Sequence, residues 1–436
     1  MHGFLKGSRS VLWTSMPLVV VALAACSAAY TPVPTPTSNA LPTKTILWTE
    51  TPTPAPEPAP TSTETPVVPT STPTSTPVLA VTISYIKMID MTSGWAEGQV
   101  GTEEASRILR TTDGGGTWRD VSPVIREGPY GSFFLDAQLA WVWTFYGHEM
   151  WRTQDGGDTW VSVATVGGQP EIWFNDSQRG WKMEATHWGL SYVQFDIDSF
   201  GTTQDGGQTW QETNPPPGRG SAFMAYPDAL MAWAVRAGFA KTQEGYPNLV
   251  VPFFIEWTSD GGKAWTFHAM PLPPEAFPVE PLSDGYYFGG VGNCDFVSPV
   301  YSSTAIWKLA LTCEGRSWMY TTANRGKTWI ISPLPPGGEV MDIEFINPTI
   351  GWLFLRDPLD SSEGQLYQTE DGGQDWTLIK RTGWNDVQLD FLDAQTGWAV
   401  ACSDAWYCYE DDAIHALVRT TDGGQTWQIL QPQIAP

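Results

Sequence analysis

Thr111-Thr112-Asp113-Gly114-Gly115-Gly116-Thr117-Trp118 decides the fold, because it returns six more times along the chain. Residues 153–160, 203–210 and 420–427 are close copies. Residues 258–265 carry Ala264 at the second Thr, and 369–376 carry Asp375 there. The copy at 322–329 is the most degenerate, with Asn324 for the Asp and Arg325 for the first Gly. The octet reads as a tight turn. An Asp leaving a strand can accept hydrogen bonds from the backbone that follows. Gly-Gly supplies positive φ at little steric cost, and the Trp anchors the next strand. Asp113, Asp155, Asp205, Asp260, Asn324, Asp371 and Asp422 are therefore read as structural. One carboxylate per turn offers too few oxygens for calcium, so neither a metal nor another cofactor is expected.

Seven copies spread over residues 78–436 give about 51 residues per repeat, which suits a four-stranded blade rather than a solenoid turn. Each repeat has a second landmark upstream. Phe134-Leu135-Asp136 precedes Ala140-Trp141, Phe174-Asn175-Asp176 precedes Gly180-Trp181, and Phe391-Leu392-Asp393 precedes Gly397-Trp398. Two short apolar runs joined by a polar turn signal a hairpin. The fold predicted is all-β: a seven-bladed propeller with four antiparallel strands per blade and the octet between the third and fourth. Repeat five departs most. Its first strands are expected near Cys294 and Leu309 in a distorted blade that has lost the Gly-Trp.

The octet resembles the Asp-box, or bacterial neuraminidase, repeat. Together with Phe-x-Asp and Gly-Trp, the fuller form at 110–118 and 419–427 resembles the propeller family that includes photosystem II stability/assembly factors, over about residues 80–436. That resemblance implies a propeller with the boxes at the blade periphery, and an assembly or binding role. Asp-boxes also occur in sialidases, xyloglucan-type glycosidases and sortilin-type receptors, so fold does not carry activity with it.

Residues 1–25 read as a targeting segment: Lys6 and Arg9, then a short apolar run, then Leu23-Ala24-Ala25-Cys26. This resembles a bacterial lipobox, which implies lipid on Cys26 and an extracytoplasmic protein tied to the membrane. Residues 26–77 are dominated by Pro, Thr and Ser and cannot build a core. As polyproline II they form a tether that reaches about 150 Å at about 3.1 Å per residue.

The formal charge is −24, which argues against a nucleic-acid partner. Acidity of this size is read as a solubility device, and the protein is expected to be a monomer. With Cys26 lipidated, four cysteines remain for an oxidising compartment. Cys294 and Cys313 lie symmetrically about the expected hairpin turn, and Cys402 and Cys408 bracket a short loop. The pairings 294–313 and 402–408 are preferred, with buried free thiols as the alternative.

In an up-and-down blade the octet turns share a face with the first hairpin turns, and the other connections share the opposite face. The long segments 184–199, 236–256, 356–365 and 402–415 fall in the second class, as does 269–285. Long loops on a rigid scaffold are a usual seat of function. Their aromatics, among them Trp188, Tyr192, Tyr246, Phe253, Phe254, Trp406, Tyr407 and Tyr409, could anchor a protein or a sugar; the bland reading is that they pack the loops onto the blades. Trp188, Tyr246, Trp406, Tyr407 and Glu410 are taken as the binding candidates. No nucleophile-elbow, phosphate-loop or zinc-protease pattern is present, and no catalytic residue is assigned. The enzyme alternative, a glycoside hydrolase or sialidase-like protein, would use loop carboxylates such as Asp404, Glu410, Asp411 and Asp412. Arg110, Arg152 and Arg419 sit beside the octets, the wrong place for a sialidase cluster.

Overall fold

The computed structural model describes residues 79–102, 105–125, 129, 131–144, 149–165, 169–186, 196–217, 222–237, 253–273, 294–313, 315–357, 363–403 and 414–435. Among them are strands, turns and short connecting segments, and no helix. Blade 1 is β1 (Val81–Met88), β2 (Gly94–Val100), β3 (Arg107–Thr111) and β4 (Thr117–Asp120). Blade 2 is β5 (Gly131–Phe134), β6 (Ala140–Trp143), β7 (Glu149–Thr153) and β8 (Val161–Thr165). Blade 3 is β9 (Gln169–Phe174), β10 (Gly180–Thr186), β11 (Asp196–Thr203) and β12 (Gln211–Glu212). Blade 4 is β13 (Ala222–Ala225), β14 (Ala232–Ala237), β15 (Phe253–Thr258) and β16 (Thr266–Ala269). Blade 5 is β17 (Cys294–Ser302), β18 (Trp307–Cys313), β19 (Arg316–Thr322) and β20 (Ile330–Pro333). Blade 6 is β21 (Glu339–Phe345), β22 (Gly351–Arg356), β23 (Gly364–Thr369) and β24 (Thr377–Thr382). Blade 7 is β25 (Asp386–Phe391), β26 (Gly397–Ser403), β27 (Ile414–Thr420) and β28 (Gln428–Ile429), and β29 (Gln433–Ile434) follows it.

Each blade is one contiguous antiparallel meander, so the fold is a seven-bladed β-propeller. First strands of successive blades pack on one another and surround the axis, as with β13 on β17, β17 on β21 and β21 on β25. Second strands are almost wholly buried, and fourth strands are exposed at the rim. The ring closes in two ways. β1 packs on β25, β26 and β27. β29 crosses to blade 1 and runs parallel to β4, with Gln433 opposite Thr117 and Ile434 opposite Trp118.

The two sequence landmarks meet between blades. Trp141 of blade 2 stacks on Phe174 of blade 3 at 3.7 Å, and Trp352 of blade 6 on Phe391 of blade 7 at 3.6 Å. The indole N–H also donates onward: Trp95 to the Asp136 carbonyl, Trp141 to Gly206, Trp181 to Asp228, Trp352 to Gly423 and Trp398 to Gly114. In blades 6 and 7 the Phe of the same hairpin fills the space beside the glycine before the Trp. A Cβ on Gly351 or Gly397 would lie 2.6 or 2.5 Å from the Phe345 or Phe391 ring.

Blade 5 is distorted as expected, with register shifts on both sides of Pro299. An inner edge strand tolerates Pro because it has no outward partner to lose. The Gly-Trp is only half lost, however. Ile306 replaces the Gly, while Trp307 keeps the Trp position, buried and stacked on Trp233 at 5.3 Å. Another correction concerns Phe253 and Phe254, read as loop aromatics: both are buried in β15, because the strand begins earlier than the composition suggested.

Candidate functional site

The octet turns share one hydrogen-bond pattern. In blade 1, Thr111 Oγ1 donates to Asp113 Oδ1 and accepts from Gly115 N, while Thr117 donates N–H to Oδ1 (2.9 Å) and O–H to Oδ2 (2.7 Å). The same contacts recur about Asp155, Asp205 and Asp422. Asp260 and Asp371 keep the backbone bonds, to Ala264 N and Asp375 N. Asn324 replaces a charge with an amide: its Oδ1 accepts from Thr328 N and its Nδ2 donates to Thr328 Oγ1. The Thr159 hydroxyl and N–H hold the Asp155 carboxyl down to about 2. Six of the octets also bond to their own first hairpin turn, as Gly114 N to Thr92 O and Gly423 N to Gln395 O. These turns and the first hairpin turns thus occupy one face. Among the described residues no group of three or more His, Cys, Asp or Glu could hold a metal ion.

The Arg beside an octet works at the joint with the next blade. Arg110 lies over Trp95 at 5.0 Å and donates to the Ala137 carbonyl of blade 2. Arg152 lies over Trp141 and donates to Ser177 O of blade 3; Arg419 lies over Trp398. Blade 5 has Thr321 at that position and sends Lys308 Nζ instead, buried, to Gly372 O of blade 6 at 2.7 Å.

The axial wall carries polar groups that the repeat pattern hid. On the side of blades 6, 7 and 1, side chains satisfy the free edge of the next inner strand. Asp342 Oδ2 accepts from Leu389 N and Glu344 Oε2 from Phe391 N. Gln388 brackets Ile86, accepting from its N–H and donating to its carbonyl. Asp390 accepts from Met88 N and pairs with Lys87 Nζ at 2.7 Å. Burial pushes the Glu344 and Asp390 carboxyls up, while Lys87 pulls both back. These carboxylates are engaged in holding strands together, which does not suit them to a hydrolytic acid–base pair. Blades 3 and 4 differ. Glu171 is exposed on β9, and desolvation by the neighbouring protein pushes its carboxyl up.

Of the residues singled out from sequence, Trp188, Tyr246, Trp406, Tyr407, Cys408 and Glu410 lie outside the described residues, as do Cys26, Asp404, Asp411 and Asp412. Cys294 and Cys313 are Cα partners on β17 and β18. The axial residues were missed, although a signal existed. The position before the landmark aromatic, or its equivalent opposite the hairpin Trp, reads Lys87, Phe133, Trp173, Ala225, Ser302, Glu344 and Asp390 from blade to blade. Variation at one fixed site of a regular repeat marks a place not governed by packing alone.

No family model and no curated protein matches the chain. Among solved structures it is similar to YCF48 bound to a D1 peptide, at 16% identity over 74% of this chain and 91% of that one, with a TM-score of 0.47. YCF48 from Cyanidioschyzon merolae gives 15% identity over 80% and 97%, with a TM-score of 0.48. Prolyl oligopeptidase B from Galerina marginata gives 8% over 81% and 50%, with a TM-score of 0.50. At these identities the likeness is one of fold alone.

Proposed function

We propose that this protein is a lipid-anchored, extracytoplasmic scaffold that binds a protein or glycan partner on the face opposite the octet turns. The observation that supports this is the difference between the two faces. The octet face repeats one closed hydrogen-bond pattern from blade to blade and offers little with which to specify a ligand. At the opposite ends of the strands, Thr186 and Asp196, Ala237 and Phe253, and Ser403 and Ile414 are joined by segments of unequal length and composition that lie outside the described residues. Lipid on Cys26 and the tether of 26–77 would place the ring at a distance from the membrane. The pairings 294–313 and 402–408 belong to the same reading, and the first is favoured by the Cys294–Cys313 register. A staple at 402–408 would pre-organise Trp406 and Tyr407 and lower the ordering cost of binding.

The test is a screen of the mature chain on peptide and glycan arrays. Against the best hit, Trp406→Ala with Tyr407→Ala should lose about 2 kcal/mol or more, and Gln208→Ala with Gln425→Ala on the octet face should lose nothing. The reverse pattern would overturn the face assignment. Glycan turnover abolished by Asp404→Asn or Glu410→Gln would replace the scaffold with a hydrolase. Mass spectrometry of the N-terminal peptide should find a diacylglyceryl group on Cys26, and an intact Met1 terminus would exclude it.

A further inference from the structure

The axial wall of blades 3 and 4 has polar groups with nothing to bind. Glu171 and Trp173 are two residues apart on β9 and so share a face of the strand. Trp173 is 44% exposed, unusual for an indole on an innermost strand. Its ring meets the edge of Phe133 at 4.9 Å and lies 6.4 Å from Tyr226. Tyr226 stands at the end of β13, where blades 2, 3, 6 and 7 have Phe134, Phe174, Phe345 and Phe391. The substitution places one hydroxyl in the wall. Tyr226 is 4% exposed, and its hydroxyl is buried with no hydrogen-bond partner among the described residues. Burial, with the Glu171 carboxyl beside it, holds the phenol well above its usual range. No hydrogen bond or ion pair engages the Glu171 carboxyl among the described residues, in contrast to Asp342, Glu344 and Asp390.

A buried hydroxyl without a partner is costly, and the Glu171 carboxyl offers an acceptor with no counter-charge among the described residues. Both are met by a ligand that brings a positive donor. An exposed indole on the same strand face as a carboxylate suits a cation in particular, because the ring quadrupole and the carboxylate act on it together. The net charge of −24 adds to the attraction. We propose that Trp173, Glu171 and Tyr226 form a binding site for an alkylammonium group in the axial channel, with the indole as its platform, the carboxylate as its counter-charge and the hydroxyl as its hydrogen-bond partner. The site stands apart from the opposite-face scaffold reading and does not depend on it.

Calorimetric titration of the full chain with butylammonium chloride tests it, with n-butanol and glucose as uncharged probes. Butylammonium should bind saturably and the uncharged probes should not. Glu171→Gln should weaken binding by about tenfold or more, and Tyr226→Phe by several-fold. Both variants should fold: the first is at an accessible position and the second restores the side chain of the other blades. Because Glu171→Gln changes the net charge by a single unit, general attraction to an acidic protein cannot account for a tenfold loss. A lysine tripeptide that binds more tightly than butylammonium assigns the site to a polypeptide side chain; weaker binding assigns it to a free amine. Equal binding of n-butanol, preference for glucose, unchanged affinity in both variants, or no saturable binding would each overturn the proposal.

Discussion

Arg325 lies over the indole of Trp257, its guanidinium carbon 4.8 Å from the ring centroid, and joins blade 5 to blade 4. Both residues break the repeat. Trp257 stands where blades 1, 2 and 7 have Arg110, Arg152 and Arg419, and Arg325 stands where six octets have glycine. It keeps the turn conformation at φ +61°, the sole non-glycine there among the described residues. In blades 1, 2 and 7 the cation and its ring belong to one blade; here a ring stands at the cation's place and the next blade supplies the cation. Arg325→Gly should relieve the backbone but strip Trp257 of its cation. Trp257→Arg should set two cations together. The double variant restores the pattern of blade 1, so a urea-unfolding cycle should show favourable coupling of about 1 kcal/mol. Additive effects would mean that the two residues do not compensate each other.

Ring closure rests on Trp398 and β29. The Trp398 indole is buried and donates to Gly114 O at 2.9 Å, 284 residues away in sequence. β29 covers Trp118, and Ala435 N donates to its carbonyl, which leaves Trp118 the sole fully buried octet Trp. Trp398→Ala should cost about 3–5 kcal/mol, and Trp398→Phe about 1–3 kcal/mol for the carbonyl left unpaired. Deleting residues 433–436 should raise amide exchange first in β1 and β4. Uniform loosening of all blades would show that closure is spread around the ring.

How far these features could be read in advance depended on distance along the chain. Octets and hairpin landmarks are local, and turn chemistry with a period of about 51 residues yields blades and their order. Contacts between blades are not local. The Trp–Phe stacks unite landmarks about one repeat apart, and the Trp257–Arg325 exchange shows up in sequence as two separate defects. β29 is two residues beside a proline and acquires strand geometry only because β4 offers it an edge. The axial polar residues were overlooked because alternation explains their neighbours and assigns them no task. The binding candidates 188, 246, 406, 407 and 410 were inferred from loop length, and they lie outside the described residues.

The octet carboxylates should confer stability at neutral pH that acid removes. Asp155 is held down to about 2 in the folded chain against an ordinary 3.8. Its contribution is therefore complete above the ordinary value and fades as pH falls towards about 2. Thr159→Val, which deletes one donor, should melt lower than the parent at neutral pH and converge with it in acid. Asn324→Ala should show no convergence, since an amide does not titrate. Asp113→Ala should cost about 0.5–1.5 kcal/mol, the net worth of hydrogen bonds in an exposed turn. EDTA should leave the melting temperature unchanged; a fall reversed by calcium would make the turns metal sites.

Glu97 should give the opposite pH dependence. It lies buried on β2 and accepts one hydrogen bond, from Ser132 Oγ, and burial raises its carboxyl from 4.5 to about 7. Below the ordinary value the group is neutral in both states and costs nothing. As pH rises towards 7 the unfolded chain ionises freely while the folded chain resists, so stability falls across that window and levels off above it. Glu97→Gln keeps the shape and an oxygen for Ser132 but never ionises. It should match the parent at about pH 4 and exceed it at about pH 8 by on the order of 2 kcal/mol in urea unfolding. A variant weaker than the parent at the higher pH would mean that the ionised carboxylate has a counter-charge in the folded chain, and that this pocket, rather than Glu171, is the place to look for a bound cation.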